Sequence, residues 1–241
     1  MEKTFASGVF HVLCYDKDGN LKWEEKNHNL VVSAGAQYMA GTALDGATAR
    51  ITTWYIGLVG GIATNTTFAA ADTMASHAGW FEFTGYSQGA RVTPSFTAAT
   101  LASPSIVTNA TAAAFTVSSA FASTGSSIAT TTLTIGTLTS GAILPGQIIT
   151  GTGVTAGTYI VANIAGSGSG STWTVSSSQT VTSTAISSTS STVAGAFLTS
   201  VSTKGGTTGT LFSGSDFTTG DRTVVSADTL NVTYTFTLTP S

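Results

Sequence analysis

Ser87 sits in Gly85-Tyr86-Ser87-Gln88-Gly89, the G-x-S-x-G spacing that holds a nucleophilic serine on a strained strand-to-helix turn. That chemistry needs a helix after the serine, with an acid and then a histidine later in the chain. Here Arg91, Val92 and Pro94 follow in a strand-like pattern, and all three histidines (His11, His28, His77) precede Ser87. The serine is therefore expected in a turn between strands. Asp16, Asp18 and Asn20 open like a calcium loop, but the sixth and twelfth loop positions, where an EF-hand needs Gly and a bidentate Glu, fall on Leu21 and Asn27. A hairpin turn with Gly19 at positive φ fits better. The histidines share no metal-ligand spacing, and there is neither an HExxH nor a cysteine pair. His11 is expected at a sheet surface or core edge, and His77 packed beside Trp80. Gly166, Gly168 and Gly170 mimic a phosphate-binding loop, yet no acid stands ~20 positions on, so they read as a flexible turn. Asn65, Asn109 and Asn231 head N-x-T triplets that a Thr-rich chain produces by chance. Glu24 and Glu25 are strand neighbours and point to opposite faces, which forms no acid/base pair. No catalytic residue, cofactor site or metal ligand is assigned, and a non-enzymatic protein without a cofactor is expected.

The elements that must position these residues follow from composition. Of 241 residues only 8% are charged, against ~25% in ordinary soluble domains, while 41% are hydrophobic. Not one Asp, Glu, Lys or Arg lies between Arg91 and Lys204. Thr and Ser supply the polarity, and β-branched Thr suits a half-exposed pleated surface. An all-β chain is expected, mainly an antiparallel sandwich or jelly-roll-like fold with one short helix. A net charge of −3 without basic clusters argues against nucleic-acid and membrane-surface partners. No apolar run reaches the ~18 residues of a spanning helix, and MEKTFASGVFHVLCYDKDGN lacks a signal-peptide core, so synthesis in a cytoplasm is expected. Cys14, the single cysteine, reads as a small buried hydrophobe.

FASGVFHVLCY and LKWEEKNHNL flank the Asp-Gly turn as a hairpin. Ser33 is a plausible N-cap for a helix over about 34–44, packing Tyr38, Met39 and Leu44 on a sheet. ITTWYIGLVG reads as a strand buried on both faces. FAAADTMASHAGW reads as a loop with a helical turn that Asp72 could cap. WFEFTGY and RVTPSF read as strands broken by Pro94. NVTYTFTLTP alternates, with Val232, Tyr234, Phe236 and Leu238 on one face and Thr on the other. The charges bracket an uncharged block, which suggests a discontinuous framework, 1–118 plus 190–241, interrupted by a β module at 119–189. TTLTIGTL, QIITG, TYIVANI, TWTVSS and TVTSTAI are its short strands. AAAFTV and AGAFL would then be hairpin neighbours without the insert; one continuous sandwich is the alternative.

HNLVVSAGAQYMAGTAL, WYIGLVGG, AADTMASHAGWFEFTGYSQGAR, STKGGTTGTLFSGSDF and DTLNVTYTFTL carry a likeness. Most of 1–96 and 190–241 resembles small virion proteins of tailed bacteriophages, in particular capsid decoration (cement) proteins. The block 119–189, with GQIITGTGVTAGTYIV and SSSQTVTSTAI, resembles a short β module that recurs in phage head-fibre and tail proteins. The resemblance implies a structural protein on the outer capsid surface. It would bind the major capsid protein, self-associate as a homodimer or homotrimer, and project the insert outward. It brings no catalytic residues and names no capsid-contacting residue. The charge-poor surface suits this role, because contacts without charge resist changes in salt, and unprotected strand edges call for cover by a partner. The alternative is a head- or tail-fibre adhesin whose insert touches host glycans through Trp173 and Tyr159, unless these two form the module's core. Trp54 and Trp80 are expected in the framework core. Trp23, sharing a hairpin with Lys22, Glu24 and Glu25, fits either core or contact.

Overall fold

The computed structural model describes residues 4–61 and 67–240, so Asn65 lies outside the described residues. In chain order the elements are β1 (Thr4–Tyr15), β2 (Leu21–His28), β3 (Leu30–Val31), α1 (Ser33–Leu44), β4 (Tyr55–Gly60), β5 (Phe81–Phe83), β6 (Ser105–Thr108), β7 (Ala113–Thr116), β8 (Phe121–Thr134), β9 (Thr137–Gly141), β10 (Gln147–Gly151), β11 (Ile160–Ala165), β12 (Thr172–Thr199), β13 (Leu211–Asp216), β14 (Arg222–Val225) and β15 (Thr229–Pro240). The protein is all-β with one short helix, and its strands pair antiparallel.

Two sheets result. The smaller runs β2-β1-β15-β6, with β7 beside β6 on β15; the larger runs β3-β13-β12-β4-β5 and continues along β12 into β8–β11 and β14. Alternation explains their packing. On β1, Phe10, Val12 and Cys14 point inward; on β15, Leu230, Val232 and Tyr234 do the same. They meet Ile56, Leu58, Ala196 and Leu198 of the larger sheet in one core. β4 is buried on both faces as expected, because Val59 faces a second cluster with Met74, Trp80 and Phe197 beneath the 67–80 loop. The β1–β2 hairpin forms as predicted, with Gly19 at φ +84°.

A third cluster holds Phe121, Ile128, Leu133, Ile160, Trp173 and Ile186 among its eleven buried residues, all drawn from 121–186. Pairing nevertheless continues past residue 189. TWTVSS, TVTSTAI and AGAFL, expected as separate strands, form the single 28-residue β12, which bends at register shifts where it pairs with β8. TTLTIGTL is the one that divides, at the Gly136 turn between β8 and β9.

Several local expectations are corrected. AAAFTV and AGAFL are not neighbours: β7 pairs with β15 in the smaller sheet, whereas 194–198 pairs with β4 and β13 in the larger. Ser33 is the first helical residue and not the N-cap. Its N–H donates to the Ala70 carbonyl, and Val32, extended at ψ 165°, precedes the helix without a side-chain cap. Leu44 does not pack inward; it is 88% exposed. The 67–80 segment has no helical turn. RVTPSF contributes only isolated bridges, Val92 to Ile56 and Phe96 to Asn109.

Candidate functional site

An apolar cleft of about 960 Å³ opens under α1. The helix that roofs it has no charged residue. Gly35 rests directly on the Phe212 carbonyl, a contact that a Cβ would block, so α1 lies close on β13. This turns Tyr38 and Met39 inward, as predicted, and leaves Ala36, Ala40, Ala43 and Leu44 exposed. The wall beneath is a run of edge-to-face rings: Tyr38 to Trp54 at 5.3 Å, Trp54 to Phe212 at 5.3 Å, and Phe212 to Phe236 at 5.5 Å. It links the helix to both sheets. Ala6, Val107 and Leu238 close the side formed by the smaller sheet. Trp54, expected in the core, is thus half-buried and lines the cleft.

The hydroxyls of this wall are already engaged. The Tyr38 hydroxyl accepts from the Ile51 N–H at 2.9 Å, and Thr42 Oγ1 donates to the Tyr38 carbonyl at 2.8 Å. The Tyr234 hydroxyl accepts from Asn29 Nδ2 at 2.9 Å, and burial pushes its pKa upward. The cleft can therefore take up apolar groups but offers no charged lining group.

Register fixes where the cleft lies. β12 last pairs with β8 at Ser188, and Leu198 in the cleft wall is ten residues further, about 30 Å at 3.3 Å per residue. In the smaller sheet, β15 begins at Thr229, paired with Thr116 of β7 just before the chain enters 119–189, and reaches the cleft only at Tyr234, Phe236 and Leu238. The cleft and the apolar cluster of 121–186 thus lie toward opposite ends of β12. The charged Asp16-Lys17-Asp18 turn, beside Tyr15 and its partner Thr229, is at the end away from the cleft.

The two charges that bracket the uncharged block come together. Arg91, 2% exposed, donates from Nε and a terminal nitrogen to the two Glu82 oxygens at 3.0 and 2.7 Å, and its guanidinium also reaches the Val201 and Gly206 carbonyls. Lys204 Nζ donates to the Tyr86 and Gln88 carbonyls, both at 2.8 Å, and stands 4.4 Å from the Tyr86 ring. Burial lowers the Lys204 pKa, partly opposed by Glu82. Together they clamp the 201–206 loop onto the 82–91 segment.

The sequence candidates scatter. Ser87 lies in a bend with no helix after it, and its N–H donates to the Thr116 carbonyl. Asp16 Oδ1 accepts the Asp18 and Asn20 amides, and its bonds with Asn20 foremost hold its pKa below the usual carboxylate range. His11 pairs with Glu24 on the outer sheet face at 2.7 Å. Glu25 points inward to Arg222 and Thr219, so the two glutamates do face opposite ways. His77 stacks on Trp80 at 3.9 Å, and Asp72, instead of capping a helix, accepts the Trp80 indole N–H. His28 is exposed at the end of β2. Gly166, Gly168 and Gly170 all adopt positive φ in a turn. Asn109 is buried, accepting the Tyr234 N–H and donating to the Val232 and Thr111 carbonyls; Asn231 sits within β15. Cys14 is fully buried, its thiol pushed up to about 12 by burial first and Asp228 second. Trp80 and Trp173 are in cores, and Trp23 is half-buried against Phe217. Among the described residues, no cluster of three or more His, Cys, Asp or Glu could hold a metal.

Comparison with family models, with curated proteins and with solved structures finds no match to this chain.

Proposed function

We propose that this chain is a non-enzymatic structural protein of a tailed-bacteriophage virion. It acts as a capsid decoration (cement) protein: the framework binds the major capsid protein on the outer surface as a homo-oligomer, and 119–189 projects outward. The observation that carries this reading is the opposition of two uncharged surfaces. A Thr/Ser/Gly module over its own apolar core lies toward one end of β12, and an apolar cleft opens toward the other. A protein that must grip a particle with one end and face solvent with the other needs that polarity. The fibre-adhesin alternative has less support, because Trp173 is 7% exposed and its indole N–H is engaged by Ser171 Oγ, which leaves half-buried Tyr159 without a partner platform.

The test is direct. Purified protein added to expanded shells that lack it co-sediments and raises the shell's melting temperature, by mass action about 2.7 kcal/mol per site at a hundredfold excess over Kd. Absence of binding at micromolar concentration contradicts the proposal.

A further inference from the structure

We propose that the chain carries a built-in breakpoint: residues 121–186 open and reclose as a cooperative unit of their own, about a buried polar layer, while the framework stays folded. Three observations converge on it, and none depends on the virion reading.

The first is connectivity. β12 carries the larger sheet across the boundary, and its neighbours change there on both sides. On one side β8 pairs up to Ser188, opposite Phe121, and β14 takes over at Ser190, opposite Val225. On the other side β10 reaches Ser191, opposite Gln147, and β4 takes over at Val193, opposite Gly60. Among the described strands, β12 is thus the one shared by both halves of the sheet. Parting the halves leaves every neighbouring ladder whole within its own half.

The second is the layer between the cores. Val117 and Val193 belong to the framework core, whereas Phe121 and Ile186 belong to the module core. Between Ile186 and Val193, every residue of β12 is Ser or Thr. Ser119, Gln147, Ser188 and Ser191 fill the inside of the layer, each at 0% exposure. Gln147 ties it together. Its Nε2 donates to the Ser119 and Ala142 carbonyls at 2.8 and 2.9 Å, and its Oε1 accepts the Leu144 N–H at 2.7 Å. Hydrophobic cohesion scales with the apolar area removed from water, so two cores that meet through serine and glutamine gain little of it from each other.

The third is a weakness in that layer. The hydroxyls of Ser119 and Ser191 are buried without a hydrogen-bond partner among the described residues. An unmade buried hydrogen bond costs the desolvation of the group, and that cost is recovered when water reaches it. Both hydroxyls stand beside Gln147, so they weaken the closed seam and neither of the cores. Proteins open in contiguous cooperative units along such lines of low local stability.

The experiment is native-state hydrogen exchange, read by mass spectrometry on the full chain. Leu133, 0% exposed in the module core, is truncated. Leu133→Ala is expected to lower protection at least ~30-fold across β8 to β11 and the 172–186 part of β12, and to leave β1, β4 and β15 unchanged. Complete loss of protection in 121–186 with those three strands unchanged would support the breakpoint equally. A fall of the same size in β1, β4 and β15 would overturn it, since the chain would then open as one unit. A second variant tests the layer without touching either core. Ser119→Ala combined with Ser191→Ala is expected to raise protection in 121–186 about 5-fold or more, again with β1 and β15 unchanged. No rise would overturn an opening that begins at the seam.

Discussion

Replacing Arg91 by Met should be among the most damaging single changes in the framework. The Arg91 and Glu82 side chains are 0% and 7% exposed. Arg91→Met leaves the Glu82 carboxylate buried, keeping the Gly205 N–H at 2.8 Å but losing both guanidinium donors, and strips the Val201 and Gly206 carbonyls of a donor. Breaking a buried pair from one side costs about 3–5 kcal/mol, because the partner stays desolvated. For a chain of this size ~1 kcal/mol moves Tm by about 2–4 °C, so a fall of roughly 6–20 °C is expected. Urea unfolding followed by tryptophan fluorescence measures the loss, and a cycle with Glu82→Gln separates pair from packing. The double variant should be less damaged than the sum of the singles, with a coupling of about 1–3 kcal/mol. A loss below about 1 kcal/mol for Arg91→Met, or strict additivity, would refute the view that this pair clamps the 201–206 loop.

Three further outcomes are expected. Cys14 is raised from 9.0 to about 12 in the fold, so the native state holds a proton that the unfolded chain releases above pH 9. Stability should therefore fall by up to ~1.4 kcal/mol per pH unit from pH 9 towards 12, and urea midpoints of Cys14→Ala should lack that slope. Ala227, exposed at φ +74° in the turn before β15, carries left-handed strain. Ala227→Gly should gain about 0.5–1 kcal/mol in urea unfolding, the strain relieved outweighing the entropy of glycine. Trp173→Ala should cost about 3–5 kcal/mol, since it empties a core site and frees Ser171 Oγ; a melting temperature unchanged from wild type would contradict its core role.

Periodicity made the framework strands legible. The alternation from Val232 to Leu238 announced β15, the continuous apolar run announced β4, and Asp-Gly between apolar runs announced the hairpin. Local signals also found α1, although Ser33 yielded its capping place because its amide is drawn to Ala70 across the fold. What stayed hidden depends on pairing over long separations. That Arg91 and Lys204 clamp one loop, or that Trp54 walls a cleft with Phe236, requires the register of β12 and β15. That β12 is one strand is masked by the Ser and Thr runs, which read locally as gaps. The cleft left one trace: twelve helical residues without a charge, in the part of the chain where charges are otherwise present.

The central claim is a place on the virion, and the direct measurement is cryo-electron microscopy of the intact virus labelled with a Fab raised against residues 119–189. The account predicts Fabs studding the icosahedral shell, each standing off the surface at the far end of β12 from the cleft. Fabs confined to the tail, or no label on any particle, would contradict it.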